Sequence, residues 1–286
     1  MLRLSCVALL VVTLGCGAAP PAEPVREMPP VRVPATYDSA VATPLIVLLH
    51  GYTLSGGGQD AYMGLGDLVD DYGFIMVAPD GTREDSPDEN RFWNASASCC
   101  NFFESDVDDS AYLAGVIDSV KADYNIDDRR VYLVGHSNGG FMSYRMAHDH
   151  SGTIAAIASL AGADQPADRP APPNPVHVLQ IHGTADTVIR YEGGEFRGGA
   201  EHPGARESVE AWAAHNGCAV TGVDSGTLDL DRGLEGSDTV VTRYAAGCQP
   251  GGSAELWTIN EGSHGPDLSE HFTRRVVEWL LGHPKP

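Results

Sequence analysis

The sequence predicts a single doubly wound α/β domain on a mostly parallel sheet, occupying residues 37–286. Three observations carry that expectation. Apolar runs of strand length alternate with segments of helical spacing from Leu45 onward. The first of those runs is continuously apolar, the pattern of a parallel strand covered on both faces. Finally, 286 residues at 42% hydrophobic content can bury one large core, and neither a repeat nor a shift in composition marks a second domain.

In chain order, Leu45 to Leu49 reads as a buried strand, followed by His50-Gly51-Tyr52-Thr53 and the loose run Ser55-Gly-Gly-Gly58. Helical spacing over Asp60 to Tyr72 leads to a second strand, Phe74 to Ala78, and the turn Pro79-Asp80-Gly81. A long polar loop, Thr82 to Glu104, holds Trp93 and the doublet Cys99-Cys100, and loops of this length are often functional. Trp93 is a candidate wall for an acyl or aromatic substrate group, with core packing as the alternative. Asp106 to Tyr124 has helical period, with acids in its first turns where the helix dipole favours them. Val131 to Val134 is the next strand, with helical spacing again from Phe141 to His148. Ile154 to Leu160 and Val176 to Ile181 read as strands, Glu207 to Asn216 as a helix and Asp238 to Tyr244 as an extended segment. Ala254 to Ile259 is the last strand, and Leu268 to Leu281 a closing amphipathic helix.

The first residues are set apart from this fold. Residues 1–16 read as an export signal: Arg3 supplies a positive charge, and Leu4 to Leu14 is an apolar run too short to span a bilayer. The order Leu14-Gly15-Cys16-Gly17 is that of a bacterial lipoprotein signal, which makes Cys16 a candidate lipidation site. Ordinary cleavage near Ala18-Ala19 is the alternative and leaves a freely secreted protein. Residues 17–36, rich in Pro and Ala, are expected to form a flexible tether. A net charge of −21 argues against nucleic acid or an anionic membrane surface as partner, so any membrane contact is expected only through that anchor, and a monomer is expected.

Setting Cys6 and Cys16 aside leaves four cysteines, and in an oxidising compartment an even number favours disulfides. Cys218 and Cys248 are natural partners across a loop, where a bridge contributes about 3 kcal/mol by loop entropy. Cys99 and Cys100 can pair with each other only as a vicinal disulfide, or stay free and buried. No Cys or His spacing suits zinc, so neither metal nor cofactor is expected.

The chemistry gathers at Val131-Tyr-Leu-Val-Gly135-His-Ser137-Asn-Gly139-Gly140. Strand, Gly-x-Ser-x-Gly and helix in immediate succession make a nucleophile elbow, a turn so tight that only glycines fit two residues either side of the serine. Two further residues complete a serine, acid and base set. Asp186 follows the strand ending at Ile181, and His264 lies on the glycine-flanked loop after the last strand. Asp164 is the runner-up for the acid, and His182 reads as structural. The backbone amides of Tyr52 and Asn138 are the candidate oxyanion donors, one after an early strand and one directly after the nucleophile. The chain order Ser137, Asp186, His264 is that of α/β-hydrolases.

Together with Pro44 to Gly51, Ala78-Pro-Asp-Gly81, Trp93-Asn-Ala, Cys99-Cys100, His182-Gly-Thr-Ala-Asp186 and Gly262-Ser-His-Gly265, these motifs resemble the polyhydroxybutyrate depolymerase and feruloyl esterase family, from about Pro44 to Leu281. The resemblance implies an α/β-hydrolase fold and an exported serine esterase acting on polyester oligomers or on feruloyl or acetyl esters of xylan. It implies the triad Ser137, Asp186 and His264, and bridged positions at Cys218 and Cys248. The family's aromatic after the loop histidine is missing here, where Gly265 stands, which leaves the substrate open. No stretch reads as a polymer-binding module, so soluble material is expected over crystalline polymer. A serine peptidase of the prolyl oligopeptidase type and a non-catalytic surface lipoprotein are the competing readings.

Overall fold

The computed structural model describes residues 26–164, 171–197 and 200–286. The expected signal, with Cys16, lies outside them, as does the first part of the tether.

The described chain runs β1 (Val31–Arg32), β2 (Thr43–Leu49), α1 (Gly56–Met63), α2 (Val69–Tyr72), β3 (Ile75–Val77), β4 (Thr82–Arg83), β5 (Arg91–Phe92) and α3 (Asp109–Asp123). It continues through β6 (Ile126–His136), α4 (Asn138–Asp149), β7 (Ala156–Leu160), β8 (His177–Gly183), β9 (Gly194–Glu195) and β10 (Glu201–His202). Last come α5 (Ala205–His215), β11 (Val223–Leu228), β12 (Thr239–Tyr244), β13 (Ala254–Ile259) and α6 (Phe272–Leu281). Nine strands form one sheet in the order β1-β3-β2-β6-β7-β8-β13-β12-β11. The six from β3 to β13 are parallel, and antiparallel strands close both edges. The fold is that of an α/β-hydrolase.

Successive residues of β2 supply opposite faces, as the pleat requires. Leu45, Val47 and Leu49 enter one core with side chains of α3 and α4, and Trp212 of α5. Ile46 and Leu48 enter the other, with Met63 of α1, Val69 of α2 and Phe272, Val276 and Val277 of α6. Both faces are covered, which is why the run is continuously apolar. Each of these buried side chains contributes roughly 2 kcal/mol by the area it withdraws from water.

Four expectations need correction. The tether does not reach residue 36: Val31 pairs with Val77 and Arg32 with Met76, and Arg32 reaches Asp60 at 2.7 Å. The glycine run after Ser55 is not loose, because it opens α1, and the Ser55 side chain caps the helix by accepting from the Gly58 amide at 3.1 Å. The helix expected through to Tyr72 breaks at Gly64, whose φ of 68° lies in the left-handed region. The long loop also contains structure, the small β4–β5 hairpin. Cys218 is bridged to Cys248, and Cys99 to Cys100.

Candidate active site

Packing of the parallel strands brings their carboxyl ends to one rim, and the candidate residues gather there. Ser137 sits between β6 and α4 at φ 54°, a left-handed conformation forced on a non-glycine residue. Close approach explains the glycines around it. A Cβ on Gly135 would stand 2.0 Å from the Gly139 carbonyl oxygen, and one on Gly139 would stand 2.2 Å from that of Leu49. The elbow is thus wedged against the end of β2.

His264 Nε2 lies 2.9 Å from Ser137 Oγ, and His264 Nδ1 lies 2.8 Å from Asp186 Oδ2. An ionised carboxylate only accepts, so Nδ1 carries the proton and Nε2 offers its lone pair to the serine hydroxyl. Asp186 is held by four donors. Its Oδ1 accepts the amides of Val188 and Ile189 at 2.8 and 2.9 Å, and its Oδ2 accepts His264 and, at 3.2 Å, His182 Nε2. Burial opposes its charge, but the bonds from the two histidines prevail and keep the carboxyl well below the usual range. His182 also donates Nε2–H to the Ile189 carbonyl at 2.7 Å and accepts from Gln180 at 3.0 Å, so its tautomer is set. The runner-up acid, Asp164, is turned instead to His148 Nε2, 3.0 Å away.

His264 is positioned through its loop. His136 Nε2–H donates to the His264 carbonyl at 2.9 Å, Tyr62 Oη donates to that of Pro266 at 2.8 Å, and the Ala185 amide reaches that of Gly262 at 3.0 Å. Burial lowers the His136 pKa to about 4, so the ring stays neutral at ordinary pH. Reading the sequence did not single out His136 or Tyr62. His136 occupies a variable place inside the elbow motif, and Tyr62 is 204 residues from its partner.

The two candidate oxyanion residues flank the nucleophile. Asn138 is the first residue of α4, where no carbonyl one turn back is available to its amide. Tyr52 lies between two engaged amides: Gly51 donates to Gln59 Oε1 at 3.0 Å and Thr53 to the Arg91 carbonyl at 2.9 Å. A Cβ on Gly51 would stand 3.5 Å from Ser137 Cβ, so this turn abuts the serine. His50 locks the turn from behind, donating Nδ1–H to the Gly51 carbonyl and accepting the Gly81 amide at Nε2, both at 2.8 Å. Burial lowers the pKa of His50 to about 4, which keeps that acceptor available.

Trp93 is not a substrate wall. It is fully buried, and its partners show why. Asn138 clamps its backbone at both ends, through Oδ1 at 2.7 Å and Nδ2 at 3.0 Å, and its indole N–H donates to the His50 carbonyl at 3.0 Å. Trp93 is a brace between the two segments that carry Tyr52 and Asn138. Among the described residues, no group of three or more His, Cys, Asp or Glu gathers to hold a metal.

Comparison with known proteins agrees with this architecture. The chain is 27% identical to feruloyl esterase B of Piromyces equi over 82% of its length, and 32% identical to poly(3-hydroxyalkanoate) depolymerase C of Paucimonas lemoignei over 42%. It spans less than half of either relative, 42% and 28% respectively. The structure of an acetyl xylan esterase from Aspergillus awamori superposes with a TM-score of 0.60 at 16% identity, over 87% of this chain and 92% of that one. A model of the chlorophyllase family matches residues 22–172, a stretch that includes β2, the elbow with Ser137, and α4. On that match, which covers more than half of its residues, the chain belongs to the chlorophyllase family.

Proposed function

We propose that this chain is an exported serine esterase that hydrolyses carboxylic esters through an acyl-enzyme on Ser137. The observation that carries the reading is the unbroken relay from Ser137 Oγ through His264 to the buried Asp186, at 2.9 and 2.8 Å. His264 Nε2 takes the hydroxyl proton as Oγ bonds to the ester carbonyl carbon, while Asp186 stabilises the imidazolium. The amides of Tyr52 and Asn138 meet the oxyanion, each worth about 3 kcal/mol of barrier in comparable sites. Collapse of the intermediate breaks the bond to the alkoxide, which leaves as the alcohol with the proton from His264. Water then repeats the cycle and releases the acid.

The names of the relatives support feruloyl, acetylxylan and hydroxyalkanoate esters as the substrate range. Export is supported by the apolar leader and by the Cys218–Cys248 bridge, which an oxidising compartment favours. The test is a panel of methyl ferulate, acetylated xylan and hydroxybutyrate oligomers run on wild type and Ser137→Ala. At least one ester is expected to be cleaved, with kcat falling by about a thousandfold or more in the variant. Activity that survives Ser137→Ala removes the mechanism.

A further inference from the structure

Beyond the triad, the rim carries a feature that ester cleavage as such does not use. The Tyr52 ring meets Phe102 edge-on, with centroids 5.2 Å apart, and Phe102 meets Phe196 at 5.9 Å. The Arg197 guanidinium lies 5.5 Å from the centroids of both Phe102 and Phe196. Three separate segments build this group: the turn after β2, the loop of Cys99 and Cys100, and the end of the β9 strand. They are stitched together, since Ser98 Oγ donates to the Glu201 carbonyl at 3.0 Å and the Ala200 amide to that of Ala97 at 3.2 Å.

Charge makes Arg197 unusual. The chain has 39 acidic side chains against 18 Lys and Arg, and its arginines mostly lie against acids. Arg32, Arg91, Arg145 and Arg243 hold carboxylates at 2.7 to 3.2 Å. Arg197 is exposed, and no carboxylate among the described residues is ion-paired with it. The buried Glu84 nearby is occupied by the Tyr52 hydroxyl, which donates to it at 2.6 Å. A guanidinium near aromatic faces uses its π surface there and leaves its in-plane N–H groups free for a carboxylate. In a molecule of net charge −21, a guanidinium without a carboxylate partner is a point where an anionic substrate can be held.

We infer that Tyr52, Phe102, Phe196 and Arg197 form a subsite for esters that carry a carboxylate remote from the scissile bond, with the rings lining the path and Arg197 binding the anion. The inference rests on the esterase reading, because it places the subsite beside the residue whose amide faces the oxyanion.

The probes are the 3-hydroxybutyrate trimer as its free acid and the same trimer capped as its primary amide. Each is measured as a competitor of p-nitrophenyl butyrate hydrolysis, which reads binding whether or not the trimer turns over. Wild type is expected to bind the free acid about tenfold more tightly than the amide at low ionic strength. Arg197→Gln should erase the difference by weakening the free acid alone, Arg197→Lys should recover part of it, and added salt should shrink it. Equal inhibition by both trimers in wild type, or a parallel loss of both in Arg197→Gln, overturns the subsite. Turnover of p-nitrophenyl butyrate separates the two claims. If Ser137→Ala hydrolyses it as wild type does, the esterase reading fails and takes the subsite with it, whereas normal turnover without discrimination removes the subsite alone.

Discussion

Ser137 is held by backbone packing, while His264 and Asp186 are held by hydrogen bonds from side chains far away in sequence. On the nucleophile side, Gly135, Gly139 and Leu49 meet so closely that no Cβ fits between them. On the acid–base side, His136, Tyr62 and His182 tie down a loop and a turn. The first device is rigid and unforgiving. The second is adjustable, and it can be loosened one bond at a time without unfolding the sheet.

Gly135→Ala puts the most weight on this contrast. Its Cβ would stand 2.0 Å from a backbone oxygen that cannot move without shifting α4. A cost above about 4 kcal/mol is expected, read as loss of soluble protein or a collapsed Tm. A variant with wild-type Tm and turnover would show the elbow to be as adjustable as the loops.

Acid probes the hydrogen-bonded groups next. Burial holds His50, His136 and His177 at pKa values of about 4, against 6.5 when unfolded. The unfolded chain therefore binds more protons between those values, so stability is complete above pH 6.5 and is lost as pH falls towards 4. Tm measured from pH 7 to pH 4.5 should drop by several degrees or more. A flat profile would mean that these rings are not neutral in the fold.

The smallest effect is expected from His136→Leu, which removes the donor to the His264 carbonyl. A fall of about tenfold in kcat with little change in KM is expected, as imidazole alignment degrades. His136→Gln, which keeps a donor, should recover part of the rate. The Leu variant should also lose Tm less steeply with acid, because one titrating ring is gone. A change confined to Tm would make His136 merely structural.

The same contrast governs what could be read in advance. The elbow is local, so strand, glycines and helix spell it out over ten residues. The gathering of Asp186 and His264 beside Ser137 was legible through their places after strands, because parallel topology sends those ends to one rim. The bracing was not legible. A tryptophan in a polar loop suits a pocket wall or a core equally, and the choice at Trp93 is made by Asn138, 45 residues away. Val31 and Arg32 lie in a stretch whose composition reads as a tether, yet they pair with Val77 and Met76, a contact no local pattern announces. Short glycine runs are similarly ambiguous until a cap such as Ser55 is seen to start a helix.

The direction of β1 has one more consequence. Because Val31 stands opposite Val77 at the carboxyl end of β3, the polypeptide enters the sheet from the edge where Ser137 and His264 lie, not from the bottom. A bulky group fused directly ahead of Val31 would therefore stand beside the mouth of the candidate site rather than behind the sheet.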